Sequence, residues 1–306
     1  MIMFILRRLL QMVPAVIGIT LIIFVLLRVS GDPVTLMLPE DAPQSQIDTL
    51  RQSLGLDRPL PEQYVIFLGN LVRGDFGRSI RYGNQPVLSI VAERLPATLQ
   101  LSAAAMAVAL IISLSAGIVA ALHRGRWPDH VATVFSVLGE AMPNFWLGIM
   151  LILVFSVQLQ VLPVSGQGSL RNLLLPAVTL GAGLAAVLTR LMRSSLIEVL
   201  GQDYIRTARA KGLHPRFVLF KHAIRNALLA YLTVVGLQVA SLMAGSVVTE
   251  QVFAWPGIGL LAIQAIHSRD MAILQAIVII SSLIVMVTNL IVDVLYAVID
   301  PRIQYS

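Results

Sequence analysis

Apolar residues recur along this chain in stretches near twenty residues, separated by shorter polar connections. The stretches fall at 9–27, 98–122, 131–157, 173–191, 227–248 and 273–295. At about 1.5 Å of rise per residue, each is long enough to cross a hydrocarbon core roughly 30 Å thick as a helix. The pattern predicts an all-α polytopic membrane protein with six transmembrane helices. The second stretch is rich in Ala, Ser and Gly, which lets backbones approach closely and predicts an inner, packed helix. The third carries Pro143 in its interior and the first carries Pro14 and Gly18, all tolerable inside a membrane helix.

The one long polar interval lies between the first two helices. It holds six Arg against eight acidic residues, with turn formers at Gly31-Asp32-Pro33, Pro59, Pro61, Gly74 and Gly77. Amphipathic pieces at 46–54 and 62–72 alternate with those turns. A small structured cap outside the bilayer is expected. Ahead of the first helix stands Arg7-Arg8, as in a signal peptide. The apolar run is longer than a typical signal core and no small-x-small site follows it, so an uncleaved helix is expected. The organisation read from the pattern is an N-terminal transmembrane helix at 1–29, an extracytoplasmic cap at 30–97, a core at 98–297 and a tail at 298–306. The core contains a basic cytoplasmic loop at 194–226.

Composition agrees: 57% of residues are hydrophobic and 12% charged, against about 25% charged in soluble domains. There is no cysteine, which excludes disulfides, cysteine-ligated zinc and a cysteine nucleophile. The net charge is +6, and residues 189–226 alone hold eight basic and two acidic side chains. That concentration argues against nucleic acid as a partner and reads first as orientation. Arg7/Arg8, Arg124/Arg126, the basic loop and Arg302 alternate with base-poor loops, placing both termini and the basic loop in the cytoplasm. The long first loop is the exception, and long loops translocate regardless of charge.

No enzyme motif is present. GxxxxGK[ST], HExxH and GxSxG are all missing from the sequence. His123, His130, His214, His222 and His267 are scattered without metal-ligand spacing. Asp32 and Asp75 sit in Gly-Asp turns, where Asp closes the turn onto its own backbone. Polar residues inside the apolar stretches invite two readings. Glu140 and Asn144, one turn apart, Gln238, Ser241, Gly245 and Thr249, and Ser282 and Asn289 (with Asp293 near the helix end) fall at helical spacing. They are either a translocation path or interhelical hydrogen bonds that hold the bundle together. A carboxylate at the depth of Glu140 is costly unless paired or hydrated, which favours the path there.

The basic loop has its own pattern. From Asp203 to Lys211, Tyr204, Ile205 and Ala208 form an apolar arc flanked by Arg206 and Arg209. Gly212 breaks the helix and His214-Pro215 restarts it. Two short helices around a glycine at a membrane surface make either a basic patch on anionic lipid or a lever for a partner protein. Asp203–Gly212 reads DYIRTARAKG and resembles the EAA loop of ATP-binding-cassette (ABC) importer permeases. Arg206 stands at the Glu position, and Thr207 and Ala208 at the two Ala positions. This is the form found in the dipeptide, oligopeptide and nickel permease branch. LGLDRPLPEQY, GDFGRS, VFAWPGIG and DVLYAVIDPR resemble the same branch, so the likeness covers nearly the whole chain.

The resemblance implies a type I ABC importer permease fold and one membrane subunit of a peptide-type importer in a bacterial inner membrane. It implies a second homologous permease, two ABC ATPase subunits and an extracytoplasmic solute-binding protein. The chain itself then carries no cofactor; ATP and Mg belong to the ATPases. It also implies that Asp203, Tyr204, Arg206, Thr207, Ala208, Arg209, Lys211 and Gly212 form the ATPase-coupling element. An acidic residue at Glu140 is not part of the resemblance, so no role is carried over to it. Two other classes compete. An ion-coupled secondary transporter would need no ATPase, and a membrane scaffold would show no ATP-dependent uptake in vesicles.

Overall fold

A computed structural model describes residues 2–29, 43–53, 55–79 and 81–299. The Gly31-Asp32-Pro33 turn and the Asp300-Pro301-Arg302 tail lie outside the described residues. The helices are α1 (Ile2–Val29), α2 (Gln44–Ser53), α3 (Leu60–Val72), α4 (Val87–Leu122), α5 (Trp127–Ala141) and α6 (Asn144–Leu151, continued as a π-helix over Ile152–Gln158). There follow α7 (Leu170–Leu200), α8 (Asp203–Ala210), α9 (Pro215–Phe217, widened into a π-helix over Val218–Ile224), α10 (Arg225–Val252), α11 (Ile258–His267) and α12 (Met271–Ile299). Among the described residues there is no β-strand, only an isolated bridge between Arg78 and Pro86. Five helices are long and apolar enough to cross a membrane, or up to six if the bent pair α5–α6 counts as one broken span.

The chain sorts into two compact units, Met1–Pro96 with Leu261–Val287, and Ala97–Leu260 with Thr288–Ser306. In the first unit, the cap helix α3 is fastened to α1. The Tyr64 hydroxyl lies 3.0 Å from Thr20 Oγ1 and donates to the Ile17 carbonyl, while Phe24 packs against Tyr64 and Phe67. Gln63 is buried and its amide donates to the Leu56 and Arg58 carbonyls, holding the turn before the helix. As expected of a turn former, Asp75 accepts a hydrogen bond from the Gly77 N–H at 2.9 Å. Ser79 donates to Asp270 at 2.5 Å, both are buried, and Asp270 in turn caps Ile273 N at the start of α12.

The second unit is built on stripes with a four-residue period. Ala97, Leu101, Ala105 and Ala109 line one face of α4; Leu180, Leu184, Leu188, Met192 and Leu196 line one face of α7; all are buried in one core with Tyr231 and Trp255. Small residues set the spacing. A Cβ on Gly181 would stand 2.6 Å from the Ala105 carbonyl oxygen, and one on Gly117 would stand 2.8 Å from Met192 Cβ. The helices are in backbone contact there, as membrane bundles favour.

Four expectations are corrected. The helix expected at 98 begins at Val87, absorbing Pro96 and the last cap residues. The helix expected at 173–191 runs to Leu200, so the first residues assigned to the basic loop continue a helix. The terminal helix likewise extends beyond 273–295, to Met271–Ile299. The stretch 131–157 is not one kinked span. Met142 and Pro143 are extended, and the chain bends by 108° there. Proline lacks the N–H that a continuing helix needs, and it pushes the residue before it out of the helical region. Glu140 and Asn144 therefore lie on two differently directed helices, not on one face.

Candidate coupling surface and buried carboxylates

The basic stretch folds as two short helices around Gly212, as its pattern predicts. Helix α8 starts at Asp203, whose carboxylate takes a hydrogen bond from the Arg206 guanidinium at 3.3 Å and whose carbonyl accepts from Thr207 Oγ1. It ends at Lys211, and Gly212 follows with φ +77, a conformation glycine adopts without the Cβ penalty. His214 Nδ1 accepts from Arg216 N, and Pro215 occupies the first helical turn.

The apolar arc divides, however. Ile205 is fully buried and Ala208 nearly so, both within the core that includes Leu196 and Ala223. They seat α8 on its own bundle and are not free to anchor a partner. A second tie runs from Asn226 Nδ2 to the Tyr204 hydroxyl at 2.9 Å. What remains outward is Arg206, Thr207, Arg209, Lys211 and Gly212, with exposed apolar side chains at Tyr204 (43% exposed), Leu213, Phe217 and Phe220 (66%). Lys221 Nζ sits 4.7 Å from the Phe217 ring centre. The aromatic pair at 217 and 220 lies beyond Asp203–Gly212, the motif on which the coupling assignment rested.

Glu140 is paired with Arg190 of α7, Oε2 to Nη2 at 2.5 Å, both half-exposed. One turn along α7, the Arg193 guanidinium forks onto both oxygens of Asp129 at 2.5 and 2.8 Å. Asp129 is buried and also accepts from the Gly125 N–H. This pair fastens the α4–α5 turn to α7.

A third carboxylate, Glu250, lies beyond the apolar stretch 227–248, in the last turn of α10. Glu250 has no exposed surface. Its oxygens accept from Thr98 Oγ1 at 2.7 Å and from the Leu260 N–H at 3.0 Å. Thr98 Oγ1 also accepts from Ile258 N, and Trp255 Nε1 donates to the Ala97 carbonyl. A Cβ on Gly257 would collide with the Glu250 carboxylate. The FAWPGIG segment is thus folded around a buried carboxyl group, and its glycines make room for it. The available signal was the spacing of one acidic residue ahead of two glycines.

Among the described residues, the side-chain hydrogen bonds of the other path candidates stay within their own helices. Ser241 donates to the Gln238 carbonyl and to its Oε1; Ser282 donates to the Val278 carbonyl. Asn144 opens α6 and Asn289 lies within α12. Thr249 is buried, and its Oγ1 has no hydrogen-bond partner. The surroundings of Gly245 lie outside the described residues.

Residues 113–305 match the family described as binding-protein-dependent transport system inner membrane component, and residues 1–102 match the N-terminal part of such components. The chain belongs to that permease family. It is 42% identical over 307 residues, covering all of both chains, to the glutathione transport system permease protein GsiC of Escherichia coli strain K12. The match to GsiC of Shigella dysenteriae serotype 1 has the same extent. Among solved structures, the inward-facing MetNI methionine ABC transporter aligns with a TM-score of 0.60 at 17% identity, over 71% of this chain and 99% of that one. An amino acid ABC transporter aligns at 0.53 and 15%, over 68% and 94%. These two establish the fold.

This permease is a multi-pass membrane subunit of an ABC importer, a transport component whose family works with a binding protein and ATPases. The secondary-transporter and scaffold readings fall away. ATP hydrolysis belongs to partner subunits.

Proposed function

We propose that the permease carries short peptides, delivered by an extracytoplasmic solute-binding protein, and that residues 203–220 receive the stroke of two partner ATPases that bind ATP and Mg. In this reading a second homologous permease completes the pathway, and both termini and α8 face the cytoplasm. Full-length likeness to glutathione permeases supports a peptide-sized substrate with a free carboxylate and amide bonds.

One observation carries the coupling role. The face of α8–α9 that points away from the bundle combines exposed aromatics with Arg206, Arg209 and Lys211, while its opposite face, Ile205 and Ala208, is locked into the core of α7 and α10. An apolar anchor ringed by cations fits a docking site. The inward lock means that force on α8 is delivered to the helices themselves. Asp203, Tyr204, Arg206, Thr207, Arg209, Lys211 and Gly212 contribute the outer face and its shape, and Ala208 the seat. Glu140, Asn144, Gln238, Ser241, Gly245, Thr249, Ser282 and Asn289 are retained as path candidates, with Glu140 held in register by Arg190.

The test is Phe220→Glu in the reconstituted importer. The expected result is a subunit that still inserts but binds the ATPases at least tenfold more weakly, since an exposed anchor at an interface centre is worth about 2 kcal/mol or more. Undiminished ATPase binding and ATP-driven uptake would rule out this surface as the docking site.

A further inference from the structure

The bend between α5 and α6 opens a groove of about 730 Å³, walled by α4, α5, α6 and α7 within the second unit. Its walls include Ile112, Val119, Val131, Phe135, Leu147 and Val178. Three hydroxyls also face it, and each is spent on its own helix. Ser115 donates to Ile111 O, Ser136 to Ala132 O and Thr189 to Ala185 O. Between its two ends the groove therefore offers a ligand no free hydroxyl donor among predominantly apolar walls, a poor match for a peptide's many polar groups. Hydrocarbon has none.

One end of the groove differs. Trp127 and Pro128 line it there, with Trp127 75% exposed, directly after Arg124 and Arg126. Asp129 is the one acidic residue of that turn, and both its oxygens are held by Arg193. Arg124 and Arg126 are exposed and have no carboxylate partner among the described residues. The turn leading into Trp127 thus keeps two uncompensated positive charges next to an amphipathic ring. Trp at such a position marks the bilayer interface, and basic pockets between transmembrane helices suit anionic headgroups.

Length and charge select the occupant. Helix α5 has 15 residues and so spans about 22 Å, somewhat more than one leaflet of a core roughly 30 Å thick. An apolar chain about one leaflet long, ending in an anion beside Arg124 and Arg126, is what an anionic lipid presents. We propose that this groove is a binding site for one anionic diacyl phospholipid, its chains along α5 and its headgroup on Arg124 and Arg126. The inference needs only that the chain spans a membrane, which family membership supplies, and is independent of the coupling role.

The test is native mass spectrometry of the whole importer complex released from nanodiscs containing equal phosphatidylglycerol and phosphatidylcholine. The wild-type complex is expected to retain phosphatidylglycerol over phosphatidylcholine by about tenfold or more, given the attraction each cation exerts on an anionic headgroup. R124Q/R126Q should keep a lipid but bring that ratio close to one. Ala116→Phe with Ala132→Phe, which fills the groove, should shed the lipid whatever its headgroup. Equal retention of the two lipids by the wild type overturns the proposal, and that measurement needs no variant to fold. Unchanged retention in the filled groove overturns it as well. So does a disulfide from Phe135→Cys to a cysteine on the second permease subunit, which would put protein in the groove.

Discussion

Glu250 shows what a single buried carboxylate does in this permease. It takes hydrogen bonds from Thr98 and from the backbone of the segment that follows it, and that segment wraps it completely. Thr98→Val removes the donor to Glu250 and the acceptor for Ile258 N together. Unpairing buried polar groups costs about 1–3 kcal/mol each, so the purified complex should unfold at a clearly lower temperature. Gly257→Ala should do more damage, because its Cβ falls on the carboxylate, which can yield only by giving up its hydrogen bonds to Thr98 and Leu260. The assay is the midpoint of thermal unfolding in detergent, with Ser89→Ala, an exposed position, as the neutral comparison. The Asp129–Arg193 fork makes a similar argument between α5 and α7. Asp129→Ala strands a guanidinium that is two-thirds covered, and breaking such a pair costs toward the lower end of about 3–5 kcal/mol. Arg193→Lys keeps the charge and loses the fork, so its midpoint should fall between those of the wild type and Asp129→Ala.

At the scale of elements, hydropathy marked where the chain meets lipid and missed where helices end. The reading stopped α7 at 191, ahead of the charges that begin again at Arg193, yet its buried stripe continues through Met192 and Leu196 in the same period. A helix stops where caps and packing stop it, not where the solvent changes. The same confusion moved the start of α4 from Val87 to 98. The break at Pro143 was visible as a proline, but the 108° bend was not. Proline in a membrane helix usually kinks, and only the extended Met142 before it separates a break from a kink. The two short helices around Gly212 were legible because glycine, histidine and proline punctuate them locally; which of their faces looks inward depends on α7 and α10, which the local pattern does not contain. Gly212 gives a sharp prediction at this scale. A Cβ there meets nothing within 4 Å, while φ is +77, so the demand is for backbone conformation and not for space. Gly212→Asn, which tolerates that region, should preserve ATP-coupled uptake in proteoliposomes. Gly212→Val should uncouple ATP hydrolysis from uptake while the subunit stays assembled. Equal behaviour of the two variants would mean that the turn is not what transmits the stroke.

For the whole molecule, the family and the all-helical, multi-span architecture were readable from the motifs and apolar stretches distributed along the chain. The direction in which the chain threads the membrane rests on charge alone, and the structure supplies a way to measure it. Helix α7 has 31 residues and so extends about 46 Å, well beyond a hydrocarbon core of roughly 30 Å. Gln167, three residues before its start, and Arg209, on α8 just past its end, are both exposed. They must therefore lie on opposite sides of the bilayer. The chain contains no cysteine, so one introduced thiol gives an unambiguous signal from this subunit. Gln167→Cys should react with a membrane-impermeant maleimide in intact spheroplasts, and Arg209→Cys should react only after the membrane is opened. With the partner ATPases bound, Arg209→Cys should become slower to label even in opened membranes, because the docking surface is then covered. Rapid labelling of Arg209→Cys in intact spheroplasts would invert the topology and remove α8 from reach of any ATPase, leaving the coupling role without a site.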